Sequence, residues 1–233
     1  MNNERPKLIY DLFCDASAGP ELRGACAGCL ITSRTQSETE FHAVIQPHGT
    51  NNSGEIAAIL LAVIKAVEIR QSIDRSIGIE FNIFSDSRIS VCSMREWIFG
   101  WLNNRQGNIL RKSDKSVVMN QGYIKSIYNM ILIYNLRVKF YHQIGHVGHK
   151  YNAVPIDFYK FNKIPLETVG LSPSFISICN DTVDNKTRDI IVDFLSTGNN
   201  HGYPIDDQFK DGENYPIVSV YPKDIARYKQ LIS

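Results

Sequence analysis

The first forty-six residues alternate apolar and polar positions in three runs. "KLIYDLFCDAS" alternates β-prone side chains and stops at small residues, which predicts a strand ending near Asp15. "GACAGCLITS" and "TEFHAVIQ" predict two further strands joined by the polar turn "RTQSE", and three such strands in succession suggest an antiparallel meander. The pattern then changes. "TNNSGEIAAILLAVIKAVEIRQ" is a turn cluster, with Ser53 as a candidate cap, leading into a long helix rich in Ala, Ile and Leu, with Glu55 in its first turn. "IGIEFNIFSDS" returns to a strand and ends, like the first, on an aspartate, here Asp86. "RISVCSMREWIFGWL" predicts a helix, "NNRQGNILRKSDKSV" an exposed polar excursion carrying Arg105, Arg111, Lys112 and Lys115, "NQGYIKSIYNMILIYNL" an amphipathic helix, and "RVKFYHQI" a last strand. The order β-β-β-α-β-α-α-β-α describes an α/β fold with a mixed sheet.

After "YKFNKIPLETVGLSP", Pro165, Gly170 and Pro173 mark a linker. "DNKTRDIIVDFLSTG" predicts a short helix stopped by Gly198, and "YPIVSVYPKDIARYKQLI" a strand followed by a helix with Pro222 in its first turn. The reading is a main domain over residues 1–165 and a small C-terminal α/β appendage over 166–233, serving packing or self-association.

Composition adds exclusions. The 233 residues are 43% hydrophobic and 21% charged, ample for a globular core. "MNNERPKLIY" lacks the pattern of a signal peptide and no apolar run is long enough to span a bilayer, so the expected location is the cytoplasm, without a membrane partner. Five scattered cysteines fit reduced, buried thiols, and Cys26 and Cys29 of "CAGC" have no second pair to complete a zinc site. From Ser172 onward there are nine acidic and six basic residues, against 15 acidic and 19 basic before it. The first part therefore leans mildly towards a polyanion, and the acidic tail argues against phosphate binding there.

Strand ends in mixed sheets are where ligands meet side chains. Asp15 and Asp86 end strands, Glu55 opens a helix, and Asp157 follows the loop "GHVGHKYN". Four carboxylates at one spot would repel one another unless divalent cations lie between them, and hard oxygen ligands select magnesium or manganese. Asp11 shares a strand face with Asp15 and is the competing carboxylate; Asp15 is preferred because it abuts the turn.

"FCDAS", "TNNSGEI", "FSDS" and "GHVGHKYN…D" resemble, in order and spacing, the four motifs of the type 1 ribonucleases H, from about Lys7 to about Lys163. The resemblance implies a ribonuclease H-like mixed five-stranded sheet flanked by helices. It also implies an endonuclease that hydrolyses the RNA strand of RNA–DNA hybrids with two Mg2+ ions, Mn2+ being the alternative, to leave 3′-hydroxyl and 5′-phosphate ends. It makes Asp15, Glu55, Asp86 and Asp157 the metal-binding carboxylates and His146 a mobile histidine for proton movement or product release. Thr50, Asn51, Arg88, Arg111, Lys112 and Asn120 become nucleic-acid contacts, with Asn51 and Glu55 near a 2′-hydroxyl; Trp97, Trp101 and the basic excursion would grip the DNA strand. His142 and His149 are expected to be structural or solvated.

The sequence departs from the family at four points. Asp157 lies one residue further from Asn152 than usual, with Pro155 between them; a proline favours a first helical position, which predicts a helix starting at Pro155 with Asp157 in its first turn, facing the metals. Arg88 replaces a common glutamine, Gly54 is expected to loosen the helix start, and "AGPELRGA" replaces a glycine-rich turn. The rival readings are a nuclease of the same fold acting on DNA and an inactive hybrid-binding protein. A proofreading exonuclease would pair two carboxylates one residue apart, which "DAS" does not.

Overall fold

The computed structural model describes residues 7–19, 24–35, 37, 39–103, 108–111, 113–146, 153–206 and 222–233. The three alternating runs form β1 (Lys7–Ala18), β2 (Ala25–Ser33) and β3 (Thr39–Gln46), paired antiparallel as a meander. Helix α1 (Asn51–Ser72) then crosses over, so that β4 (Gly78–Ser85) returns parallel to β1. α2 (Arg88–Arg95) follows β4. A hairpin of β5 (Leu102–Asn103) and β6 (Ile109–Leu110) leads to α3 (Gln121–Ile133), and β7 (Val138–His142) pairs parallel to β4. The five-stranded sheet has the order β3-β2-β1-β4-β7. It is the mixed sheet flanked by helices that the sequence implied.

Alternation along β1 divides the core. Tyr10, Leu12 and Cys14 face α1 and α3, in a cluster that includes Ile59, Phe81 and Ile127. Phe13 faces the other way, stacking on Phe84 (ring centroids 4.9 Å apart). On that side lie α4 (Val154–Asn162) and α5 (Pro173–Thr197). All five cysteines are free and buried, Cys26 and Cys29 within β2.

Several elements differ from the sequence expectation. The α1 cap is Thr50: its hydroxyl accepts from the Ser53 N–H, and the Ser53 hydroxyl accepts from the Thr50 N–H, a reciprocal capping box. The helix thus starts at Asn51 and Glu55 enters its second turn. The helix expected from Arg88 to Leu102 stops at Arg95 and continues as a 3-10 turn, Trp97–Phe99. Pro173 opens a helix instead of marking a linker. Ser172 caps α5, which runs 25 residues to Gly198 in a left-handed conformation (φ 78°). The short helix expected there is its second half. A final helix, α6 (Pro222–Leu231), seats Tyr228 in the main core, where its hydroxyl donates to the Met94 carbonyl at 2.9 Å. The strand expected at "YPIVSV" lies outside the described residues. No helix among the described residues is long and apolar enough to cross a membrane.

Candidate active site

The register of β1 and β4 builds the centre of the site. Cys14 is paired with Ser85, so Asp15 and Asp86 stand side by side just past the last parallel pair of β1 and β4, while β1 itself runs on to Ala18 beside β2 instead of ending near Asp15 as expected. Glu55 arrives from α1, and Gly54 explains how. A Cβ at Gly54 would lie 2.9 Å from Ala16 Cβ and 3.2 Å from Ala25 Cβ, so the missing side chain lets the helix start press against the strands. The glycine expected to loosen the helix start brings it closer. Asp15, Glu55 and Asp86 each place a carboxylate oxygen within 4.8 Å of the others.

The electrostatics are those of a repelling group. Burial, reinforced by the Asp86 charge, raises the Asp15 pKa to about 8, although the Ala16 N–H, donating to Oδ1 at 2.7 Å, offsets part of this. Burial and the Asp15 and Asp86 charges push Glu55 well above the ordinary carboxylate range. Asp86 is raised by burial too, with His146 pulling the other way. The Asn180 amide eases Asp86 downward as well, standing near it but short of a hydrogen bond. Asp15 Oδ2 and Glu55 Oε2 are buried without a hydrogen-bond partner. Without a cation, a proton shared between Asp15 and Glu55 eases the pair, and with the proton gone the buried oxygens fit a hard divalent cation.

Asp11, the competing carboxylate, is satisfied without a metal. The Arg34 guanidinium donates two hydrogen bonds to it, at 2.7 and 2.8 Å, and Asn82 Nδ2 a third at 2.8 Å. Two residues in this region hold His142, whose ring nitrogen lies 3.0 Å from the Asp86 carbonyl and whose own carbonyl accepts from Asn162. His142 is buried, a structural residue as expected.

Asp157 sits in the first turn of α4, which begins at Val154 with Pro155 next. It is not among the carboxylates that lie within 4.8 Å of one another. It is a leading electrostatic influence on none of them, and acts on His142 instead. His146 is on the loop after β7 at positive φ (51°), and the preceding Gly145 runs hard against Asp86: a Cβ there would meet Asp86 Oδ2 at 2.0 Å. His149, Asn152, Arg105 and Lys112 lie outside the described residues.

The nucleic-acid residues are distributed around this centre. Thr50 and Asn51 are exposed at the start of α1. Trp97, Trp101, Arg111 and Asn120 line one cleft of about 770 Å³, together with Asn52 and Ser93. Arg88 is exposed at the start of α2, its guanidinium 5.4 Å from the Phe161 ring centroid. Two residues of α5 went unread in the sequence: Asn180, beside Asp86, and Asp184, which acts on Asp15, Glu55 and Asp86 alike. Both fall within an ordinary amphipathic helix, where nothing in the spacing distinguishes them.

Residues 8–156 match the RNase H family model. The chain is 29% identical over 157 residues to the ribonuclease H of Caldanaerobacter subterraneus subsp. tengcongensis, covering 65% of this chain and 86% of that protein. It is 33% identical over 147 residues to the ribonuclease H of Legionella pneumophila, covering 63% and 87%. Among solved structures, LC11-RNase H1 in complex with an RNA/DNA hybrid is 16% identical with a TM-score of 0.43, covering 69% of this chain and 99% of that one. With a family match across most of its length, and acidic strand ends gathered as described, the chain belongs to the RNase H family of endoribonucleases.

Proposed function

We propose that the chain cuts the RNA strand of RNA–DNA hybrids internally by a two-metal mechanism, leaving 3′-hydroxyl and 5′-phosphate ends. The observation that carries this reading is the group of Asp15, Glu55 and Asp86, with two buried oxygens that no protein donor satisfies. These three residues would hold Mg2+ or Mn2+. Such ions, when bound, supply charge neutralisation, activation of an attacking water and stabilisation of a leaving 3′ oxygen.

The chain's own residues do the rest. The strand ends fix Asp15 and Asp86 rigidly, and the capped start of α1 fixes Glu55, so the carboxylates stand preorganised for cations. Asn51, exposed at the first position of α1, is suited to read a 2′-hydroxyl beside Glu55. The cleft lined by Trp97, Trp101, Arg111 and Asn120 offers aromatic faces and a cation to the DNA strand, and Arg88 adds a phosphate contact. His146, exposed beside Asp86, can carry a proton between the site and solvent.

The test is cleavage of an end-labelled RNA strand in a hybrid, with Mg2+, Mn2+ or chelator, beside duplex DNA, duplex RNA and single-stranded RNA, with Asp86→Asn as control. Metal-dependent internal cutting of the hybrid, lost in the variant, supports the reading. Cutting of DNA instead assigns another nuclease activity of the fold, and hybrid binding without cutting in any metal overturns catalysis.

A further inference from the structure

Helix α5, in the C-terminal extension, crosses the sheet on the face that carries Asp15 and its cross-strand partner Gly28. Gly28, the partner of Asp15 across β1 and β2, is what admits it: a Cβ at Gly28 would stand 2.4 Å from Thr187 Cγ2 and 3.0 Å from Val183 Cγ1. The Ser17 hydroxyl, two residues past Asp15, lies 3.3 Å from the Asp184 carbonyl, 3.4 Å from its Oδ1 and 3.0 Å from the Thr187 hydroxyl. Asp184 is thereby held, only 9% exposed, near enough to act electrostatically on Asp15, Glu55 and Asp86, though outside the 4.8 Å group that those three form. Its Oδ2 faces His146 Nδ1 at 3.5 Å and accepts a hydrogen bond from Arg188. One turn earlier, Asn180 accepts from the Gln143 amide.

Arg188 and His146 offset part of the negative charge that Asp184 brings, but neither reaches Asp15 or Glu55, which stay short of partners. The arrangement is reasonable if a cation is shared, and an independent feature points to one. Asp15 and Glu55 are 3% and 7% exposed, and each has an oxygen with no protein partner. We infer that Asp184, supplied by the C-terminal extension, is the fourth carboxylate of the metal site, in the role the family resemblance gives to Asp157. The inference rests on the metal-site reading above and adds that the segment beyond Ser172 is part of the active site.

The test is calorimetric titration of Mn2+ into the full chain, as wild type, Asp184→Asn and Asp157→Asn, with the melting temperature of each in chelator and in Mn2+. Asp184→Asn is expected to weaken Mn2+ binding about tenfold or more, or to lose one binding event, and Asp157→Asn to lose less. Asp184→Asn should also gain less melting temperature from Mn2+ than the wild type does, each measured against its own value in chelator. Asp184→Ser, which keeps a polar group without the charge, provides the same comparison if the asparagine lowers the chelator melting temperature. Wild-type affinity in both Asp184 variants, or a larger loss at Asp157, overturns the inference while leaving the metal site standing. A wild-type chain that takes up no Mn2+ overturns the metal-site reading itself.

Discussion

Asp15 and Asp86 stand one residue beyond the paired Cys14 and Ser85, where the parallel pairing of β1 and β4 ends, so they are neighbours by strand register. With Glu55 they form a group whose charges oppose one another in the absence of a cation. Removing one charge should stabilise the metal-free protein and abolish its response to metal. Above about pH 8, where Asp15 is ionised, Asp15→Asn is expected to raise the melting temperature in chelator by a few degrees, about 1 kcal/mol for a chain of this size, and to cancel the rise that Mg2+ gives the wild type. Differential scanning calorimetry with and without Mg2+ checks both halves. A variant less stable than wild type in chelator, yet still stabilised by Mg2+, would show that Asp15 is structural, as Asp11 is.

The pH dependence follows from the same burial. Asp15 keeps its proton to about pH 8 in the metal-free fold and loses it near 3.8 when unfolded, and Glu55 is shifted in the same direction. Between those values the folded state binds more protons than the unfolded one. This contribution to stability is therefore full at the acid end and lost as pH rises through about 8. The melting temperature in chelator should fall across this window more steeply for the wild type than for Asp15→Asn. Divalent ions need the unprotonated carboxylates, so Mg2+ uptake at neutral pH should expel protons, and calorimetry in two buffers of different ionisation heat would detect this. Identical pH profiles for the two proteins, with no proton release, would contradict the assignment.

How far the sequence foretold the site depends on how local each signal is. The neighbouring positions of Asp15 and Asp86 were legible because alternating strands carrying an aspartate are visible in a few residues and the crossover helix between them dictates parallel pairing, although β1 runs on to Ala18 instead of ending near Asp15. Asp11 could not be excluded by alternation alone, since its neutralisation comes from Arg34, just past the end of β2, and Asn82, on β4. The Thr50 cap was misread as Ser53 because both hydroxyls take part in one capping box. Asp184 was out of reach for a different reason. Its position depends on a long helix docking on a sheet formed some 170 residues earlier in the chain, as its contact with Ser17 shows, and the mark left in the sequence is a single glycine in "CAGC". That glycine was read as part of an apolar strand, which is correct and says nothing of what lies over it.

The docking of α5 can be tested through Gly28. Alanine there puts a methyl 2.4 Å from Thr187 Cγ2, too close for either group to stay in place. Gly28→Ala is expected to cost about 1–3 kcal/mol in denaturant unfolding, as overpacking does. Thr187→Ser removes the obstructing methyl and keeps the hydroxyl that meets Ser17, so the double variant should recover most of the loss. Additive losses in the double variant would show that α5 does not bear on β2 at this point.

The cleft beyond α2 should govern affinity without governing chemistry. Trp97 is 42% exposed, a large apolar surface left open at the rim, and Arg111 is exposed on the same cleft. Neither belongs to the carboxylate group, so neither is positioned to act on the scissile bond. Trp97→Ala is expected to raise KM for a hybrid through the loss of about 1–3 kcal/mol of contact, with kcat little changed. Arg111→Ala should weaken binding by a different route. One phosphate contact fewer releases one counterion fewer, so the plot of log affinity against log salt should become shallower by about 1. Trp97→Ala removes no charge and should leave that slope unchanged. The two variants therefore separate apolar contact from charge neutralisation within one cleft, and a kcat loss at either residue with KM preserved would move the cleft from substrate grip into the reaction itself.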